Sequence, residues 1–358
     1  MTENPSNMDK LRAFFKLSWE KLLTYGERFK QHSPEKRFLI SIAGMLVFLI
    51  LLSFWWGRYP GQLDLQSLAE DKVEDYEEKM VVGYLTTNTL IEVANTLLDK
   101  SGGYLHNDLL PPSLFMDDMP SWELGVLQQI RDLTKALRND ISRSRTQSSE
   151  DQDLAKADSK FNVDPNSWFW PTPEREYREG IEKVENYLHR LADPTHRNAQ
   201  FFARADNLRD WLGEVIKRLG SLSQRLSDSV GQQRQNTDLA GDKNARQSTD
   251  TAQTITAQTP WSQIDNIFFE TRGNCWALIH FLKAIEVDFK DVLETRNALI
   301  LVRQIIMELE STQKTVWSPL ILNGSEFGLF ANHSLVLSSY VSRANTGLIE
   351  LYSLLERG

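Results

Sequence analysis

Phe38 to Trp56 reads FLISIAGMLVFLILLSFWW, nineteen residues with no charge and two serines as the only polar side chains. At about 1.5 Å of rise per residue, a helix of this length covers the ~30 Å hydrocarbon core of a bilayer. A helix in a soluble core rarely stays apolar on every face. Lys36 and Arg37 precede the run and Arg58 follows it, as at water-facing ends. Trp55 and Trp56, with Tyr59 beyond them, suit the aromatic belt of a membrane surface. Phe38, Trp55, Trp56 and Arg58 are therefore expected to anchor a spanning helix over 38–57. A cleavable signal peptide has a shorter apolar region followed by small residues, whereas this run ends in the bulky SFWWGRYPG. An uncleaved signal anchor is the expectation.

Its orientation follows from the flanking charges. Lys21, Arg28, Lys30, Lys36 and Arg37 lie on the N-terminal side, against Arg58 and Lys72 amid acidic residues on the other. The positive-inside rule places the N-terminus in the cytoplasm and residues 58–358 across the membrane. In a bacterium that is a single-pass inner-membrane protein with a periplasmic domain. The lipid bilayer is its first expected partner.

Residues 1–37 carry eight Lys/Arg against five Asp/Glu, so the net charge of −9 for the 358 residues conceals a basic head on an acidic remainder. In the head, Leu11, Phe14, Phe15, Leu22, Tyr25 and Phe29 share one face at helical spacing, with Lys and Arg on the others. Such a helix can lie in the headgroup layer or dock a cytoplasmic partner. It is too short to house a signalling output domain. An acidic chain lacks the basic face that nucleic acid requires, so no nucleic-acid partner is expected. The single cysteine, Cys275, sits beside Trp276 and Ala277 and reads as a buried structural thiol.

Beyond the span, apolar residues step by three and four. Tyr177, Ile181, Val184, Leu188 and Leu191 form one such seam, and Phe201, Ala205, Leu208, Leu212, Val215, Leu219, Leu222 and Leu226 a second. Leu337, Val341, Ala344, Leu348, Leu351 and Leu355 form a third, and Val126, Ile130, Leu133 and Leu137 a shorter fourth. This spacing puts each set on one helix face and favours shallow crossings. The seams are short and broken by turns, so the expected class is all-α: a single transmembrane helix followed by a periplasmic helical bundle. Two polar stretches interrupt it, Ser142–Lys160 and Gln232–Thr259. The second holds almost no large apolar residue, and a disordered loop over 232–259 is expected. The pattern Thr87–Leu90, Pro-bearing loop, helix is echoed by Thr295–Leu299, Pro-bearing loop, helix, which raises a helix–loop–helix duplication.

The chemistry-bearing motifs are missing. The six histidines show no ligand spacing, no cysteine cluster exists, and GxSxG, Walker and GxGxxG patterns do not occur, so neither a metal nor a cofactor is expected. One or two carboxylates in a cleft would suffice for glycan cleavage, and the sequence cannot single them out. Trp168, Phe169 and Trp170 stand together in SWFWPTPERE, where they form either a rigid aromatic plug or a surface that stacks on a sugar or grips a partner.

The final third, Trp261 to Arg343, is the most distinctive. It contains Arg272-Gly273, Trp276-Ala277-Leu278 and Ala284-Ile285-Glu286-Val287-Asp288-Phe289. Trp317-Ser318-Pro319, Leu322-Asn323-Gly324 and Phe327-Gly328 follow, then Ala331-Asn332-His333-Ser334-Leu335 and Ser342-Arg343-Ala344-Asn345. On these residues the chain resembles a domain family of unknown function found in proteobacterial inner-membrane proteins. The resemblance implies an inner-membrane location and supplies no activity. Read by themselves, Arg272, Glu286 and Asp288 interrupt apolar runs and suggest a buried Arg–carboxylate pair fixing the register of the bundle. Arg272, Asn323, Asn332, His333 and Arg343 join the Trp168–Trp170 loop as the candidate surface for a partner or a glycan. The expected function is that of a non-enzymatic envelope scaffold or adaptor, acting through protein partners or self-association. A peptidoglycan-binding or glycan-cleaving protein is the alternative, and a subunit of a larger inner-membrane complex is a third reading.

Overall fold

The computed structural model describes residues 33–76, 79–144, 149–193, 198–235, 254–318, 320–325 and 328–357. The head at 1–32, the 236–253 part of the polar loop, His196, Pro319 and Phe327 lie outside the described residues. The chain divides into two compact units, residues 1–55 and 56–358.

The first unit contributes α1 (Pro34–Trp56), a 23-residue helix with no buried residue. With a mean hydropathy of 2.5 it is long and apolar enough to cross a membrane, a property shared by anchors and signal sequences.

The second unit is helical and is built around α8 (Ile264–Asp288). Preceding α8 are α2 (Leu65–Asp75), α3 (Tyr84–Asp99), α4 (Asp118–Ala136), α5 (Gln152–Phe161), α6 (Pro173–Ala192) and α7 (Ala205–Ser227). The short α9 (Lys290–Thr295), α10 (Leu299–Ser311) and α11 (His333–Glu356) follow it. Helix α8 buries 18 of its 25 residues. A helix covered on all sides needs apolar side chains all round, which is why no 3–4 seam marks it in the sequence.

Its closest neighbour is α4, and the two backbones touch. A Cβ on Gly125 would lie 2.0 Å from the Glu270 carbonyl oxygen, and one on Gly273 would lie 2.0 Å from that of Trp122. Only glycine fits at either position. Beside the crossing, buried Gln129 donates to the Asn274 side chain at 3.0 Å, while its own Oε1 is buried without a hydrogen-bond partner among the described residues. The four heptad-like seams line the interior, with Leu191, Phe201 and Ala205 only partly covered and Phe201 lying just before α7. The seam of α7 meets that of α11, where Ser223 and Ser227 hydroxyls bond Ser338 at 3.1 and 2.8 Å.

Two sequence expectations need correction. The charged stretch 142–160 yields α5, capped by Asp151 and burying Leu154, Ala157 and Phe161 against α6. Three apolar residues spaced by three and four suffice for a short helix that has a partner, even among charges. The 232–259 segment is not disordered at its ends. Strand β1 (Gln232–Gln235) pairs antiparallel with β2 (Thr254–Ala257), Gln232 opposite Ala257. A backbone ladder needs no apolar side chains, so the composition did not announce it. These eight residues are the only strands among the described residues, and the all-α class stands. The helix–loop–helix plan is present twice, as α3–α4 and α10–α11. Its second helices pack differently, α4 along α8 and α11 along α7.

Candidate functional site

The chain that follows α1 is sewn along α8. Tyr59 stacks on Phe269 with ring centroids 5.2 Å apart, and Trp276 donates its indole N–H to the Gly61 carbonyl at 2.9 Å. Lys283 donates to the Gln62 side chain at 3.0 Å. The Leu63 amide donates to His280 Nε2 at 2.9 Å, while His280 Nδ1 bonds the Trp276 carbonyl at 2.7 Å. An amide can only donate, so Nε2 is the acceptor and Nδ1 carries the proton. Burial holds the His280 pKa down, to about 4. The ring is a neutral clip between the tether and the core helix.

Beside this tether lies a cavity of about 740 Å³. Its walls are Arg58, Tyr59 and Gln62 of the tether, Asp118 at the start of α4, Asp265, Phe269, Arg272 and Trp276 of α8, and the 313–321 loop. Asp118 is the unusual group here. Its Oδ1 is buried without a hydrogen-bond partner among the described residues. Burial first, then the neighbouring charges of Asp117 and Asp265, push its pKa up to about 7. A carboxyl poised near neutrality in a concave wall is a candidate proton donor or ligand contact. A second hollow adjoins the first and shares Asp265, Leu320 and Ile321 with it.

Arg272 does not form the expected buried pair with a carboxylate. It donates to the carbonyls of Lys314 at 2.9 Å and Gln313 at 3.1 Å, and so fixes the loop that closes the cavity. Glu286 and Asp288 sit fourteen and sixteen residues further along the same helix, more than about 20 Å away. Glu286 pairs with Arg303 at 2.6 Å. Asp288 accepts the Gly83 and Thr86 amides at 2.9 and 2.7 Å and holds the N-terminus of α3.

The remaining sequence-predicted residues do not converge. Trp168, Phe169 and Trp170 are solvent-exposed, with relative exposures of 64, 70 and 64%, and the Arg175 guanidinium lies over the Trp170 ring. Asn323, Asn332 and His333 do meet, in the turn that builds the start of α11. Asn332 caps the Leu335 amide at 2.9 Å, Ser334 donates to Asn323 at 2.7 Å, and the Leu322 amide donates to His333 at 3.1 Å. Arg343, ten residues and about 15 Å along α11, pairs with Glu308 at 2.9 Å. These polar groups are occupied in shaping the loop and pinning α10 to α11. Cys275 is fully buried and its thiol is pushed up to about 12, so it is not a nucleophile.

Asp118 and Asp265 were missed by sequence reasoning, and Tyr59, expected in the aromatic belt, is packed against the core instead. Asp117-Asp118 reads as an ordinary acidic helix start. The one available signal was two adjacent carboxylates within an apolar loop, LLPPSLFMDDMPSW. Among the described residues no group of three or more His, Cys, Asp or Glu is placed to hold a metal ion.

Over residues 30–358 the chain matches a family described as an uncharacterized protein conserved in bacteria (DUF2333). No curated protein and no solved structure matches it.

Proposed function

The chain belongs to this bacterial family, and we propose that it is a membrane-anchored helical scaffold or adaptor of the cell envelope. In this reading α1 is an uncleaved signal anchor, the N-terminus is cytoplasmic and the helical domain is periplasmic. The observation that carries the reading is how the buried ionisable groups are used. Glu123 pairs with Lys100 and accepts the Leu105 amide at 2.9 Å, Glu270 holds Arg225 at 2.7 Å, and Asp288, His280 and Arg272 fasten helices and loops. Each is consumed in holding the domain rigid, as a platform for binding requires. Cross-linking and co-purification of the full-length protein tests it. A stable envelope partner is the expected result, and release of muropeptides by the purified protein would overturn the non-enzymatic reading.

Asp118 favours a second reading, in which the cavity cleaves a glycan. A protonated carboxyl near neutral pH is what a general acid needs, and Asp265 on the same wall is a candidate second carboxylate. Under that reading Asp118→Asn abolishes muropeptide release by the full-length protein. If no release is seen with the unmodified protein, the second reading falls.

A further inference from the structure

The domain shows its aromatic side chains unevenly. Among the described residues outside α1, every exposed tryptophan lies between the α-helices: Trp168, Trp170, Trp261 and Trp317. Of the exposed phenylalanines, Phe169 and Phe330 lie in the segments of Trp168 and Trp317, and Phe115 lies in the segment between α3 and α4. The other tryptophans of the bundle, Trp122, Trp211 and Trp276, are buried. An exposed tryptophan presents a large apolar face with one polar N–H, a combination that is costly in water and suited to a membrane interface.

These loops are joined to Trp56 and the residues that follow it, where the second unit begins. The Trp56 ring lies against Gly102, whose Cβ position would be 2.7 Å from it, and Gly102 opens the loop that carries Phe115. In that loop Asn107 donates to the Ser167 carbonyl at 3.1 Å, which ties in the Trp168–Trp170 loop. Arg58 and Tyr59 share the cavity wall with Val316 and Ser318, on either side of Trp317. Trp261 and Leu320 wall the adjoining hollow. Gly57 to Gln62 is six residues, a reach of at most about 20 Å even fully extended, and here the segment is pinned along α8.

We propose that this end of the helical domain is a lipid-seated face, whose loops place their tryptophans in the headgroup layer of the leaflet where α1 ends. The occupant is the bilayer surface, on account of the short pinned tether and the choice of Trp and Phe for the exposed positions. The inference rests on the reading of α1 as a membrane anchor.

The test uses full-length protein in phospholipid vesicles, with and without a nitroxide placed on the acyl chain just below the headgroup. Because Cys275 is fully buried, a fluorophore can be attached at one added cysteine at a time. Trp168→Cys and Trp317→Cys report the loops, and Leu51→Cys reports α1. Ile349→Cys reports a point about 24 Å along α11 from the loop that precedes it. We expect several-fold quenching at 51, 168 and 317, and none at 349. Quenching at 51 with 168 and 317 no more quenched than 349 overturns the lipid-seated face while leaving the anchor standing. Loss of quenching at 51 itself overturns the anchor, and the inference with it.

Discussion

Single residues decide whether the two central helices can meet. Gly125 and Gly273 lie where the α4 and α8 backbones touch, and added methyl groups there collide with carbonyls that cannot move away alone. Gly273→Ala should therefore lower stability by roughly 1–3 kcal/mol or more, measured by thermal or urea melting of the full chain in detergent. An unchanged melting curve would mean that the helices cross more loosely. Asp118 gives a pH-dependent prediction of definite sign. Its folded pKa is raised, from 3.8 to about 7, so the folded state holds a proton that the unfolded chain releases. The stabilising contribution is complete below the unfolded value and is lost as pH rises through the folded one. Asp118→Asn should thus melt higher than the unmodified protein at pH 7.5, with the gap closing towards pH 4. Neither effect was legible in the sequence, where a glycine in a helix and an aspartate at a helix start both look unremarked. Backbone contact and burial are properties of the partner element, which local sequence does not contain.

Elements whose chemistry is local were readable. The seams of α6, α7 and α11 appear as alternating steps of three and four because each of these helices buries one main stripe, whereas α4 buries residues beyond its short seam. Helix α8 is buried on all sides and α5 is short and charged, so neither shows a clean stripe. The 313–332 connection was recognisable as a loop through its Pro and Gly, but not what holds its first residues. That is Arg272, which reaches from α8 to the carbonyls of Gln313 and Lys314. Arg272→Lys keeps the charge and loses the planar fork that spans both acceptors. Hydrogen exchange around 312–318 should then rise several-fold while that of α8 stays slow. Unchanged exchange in the loop would show that Arg272 does not hold it. At the Trp168–Trp170 loop, Trp168→Ala with Trp170→Ala should leave sacculus binding as it was, since lipid is the proposed contact. Loss of strong sacculus binding would return that loop to glycan recognition.

At the scale of the molecule, the order of parts carries the functional argument. A helix fit to cross a membrane is followed within six residues by a segment fastened to the core helix of a helical domain. The long apolar run and the helical class could be read directly, because both depend on composition and period alone. Location, orientation and partner depend on the cell around the protein, and of the buried ionisable groups Glu123, Glu270, Arg272, His280 and Asp288 are taken up in structure while Asp118 is not. Binding from a fixed position on the membrane is the role proposed for this arrangement. The central claim is that α1 anchors the helical domain on the outer side of the inner membrane. Protease added to intact spheroplasts that carry the full-length protein with a tag after Gly358 tests it directly. The account predicts that the tag is lost while an α1-containing fragment stays with the membranes. A tag that survives until the membrane is broken, or protein released in soluble form, would contradict it.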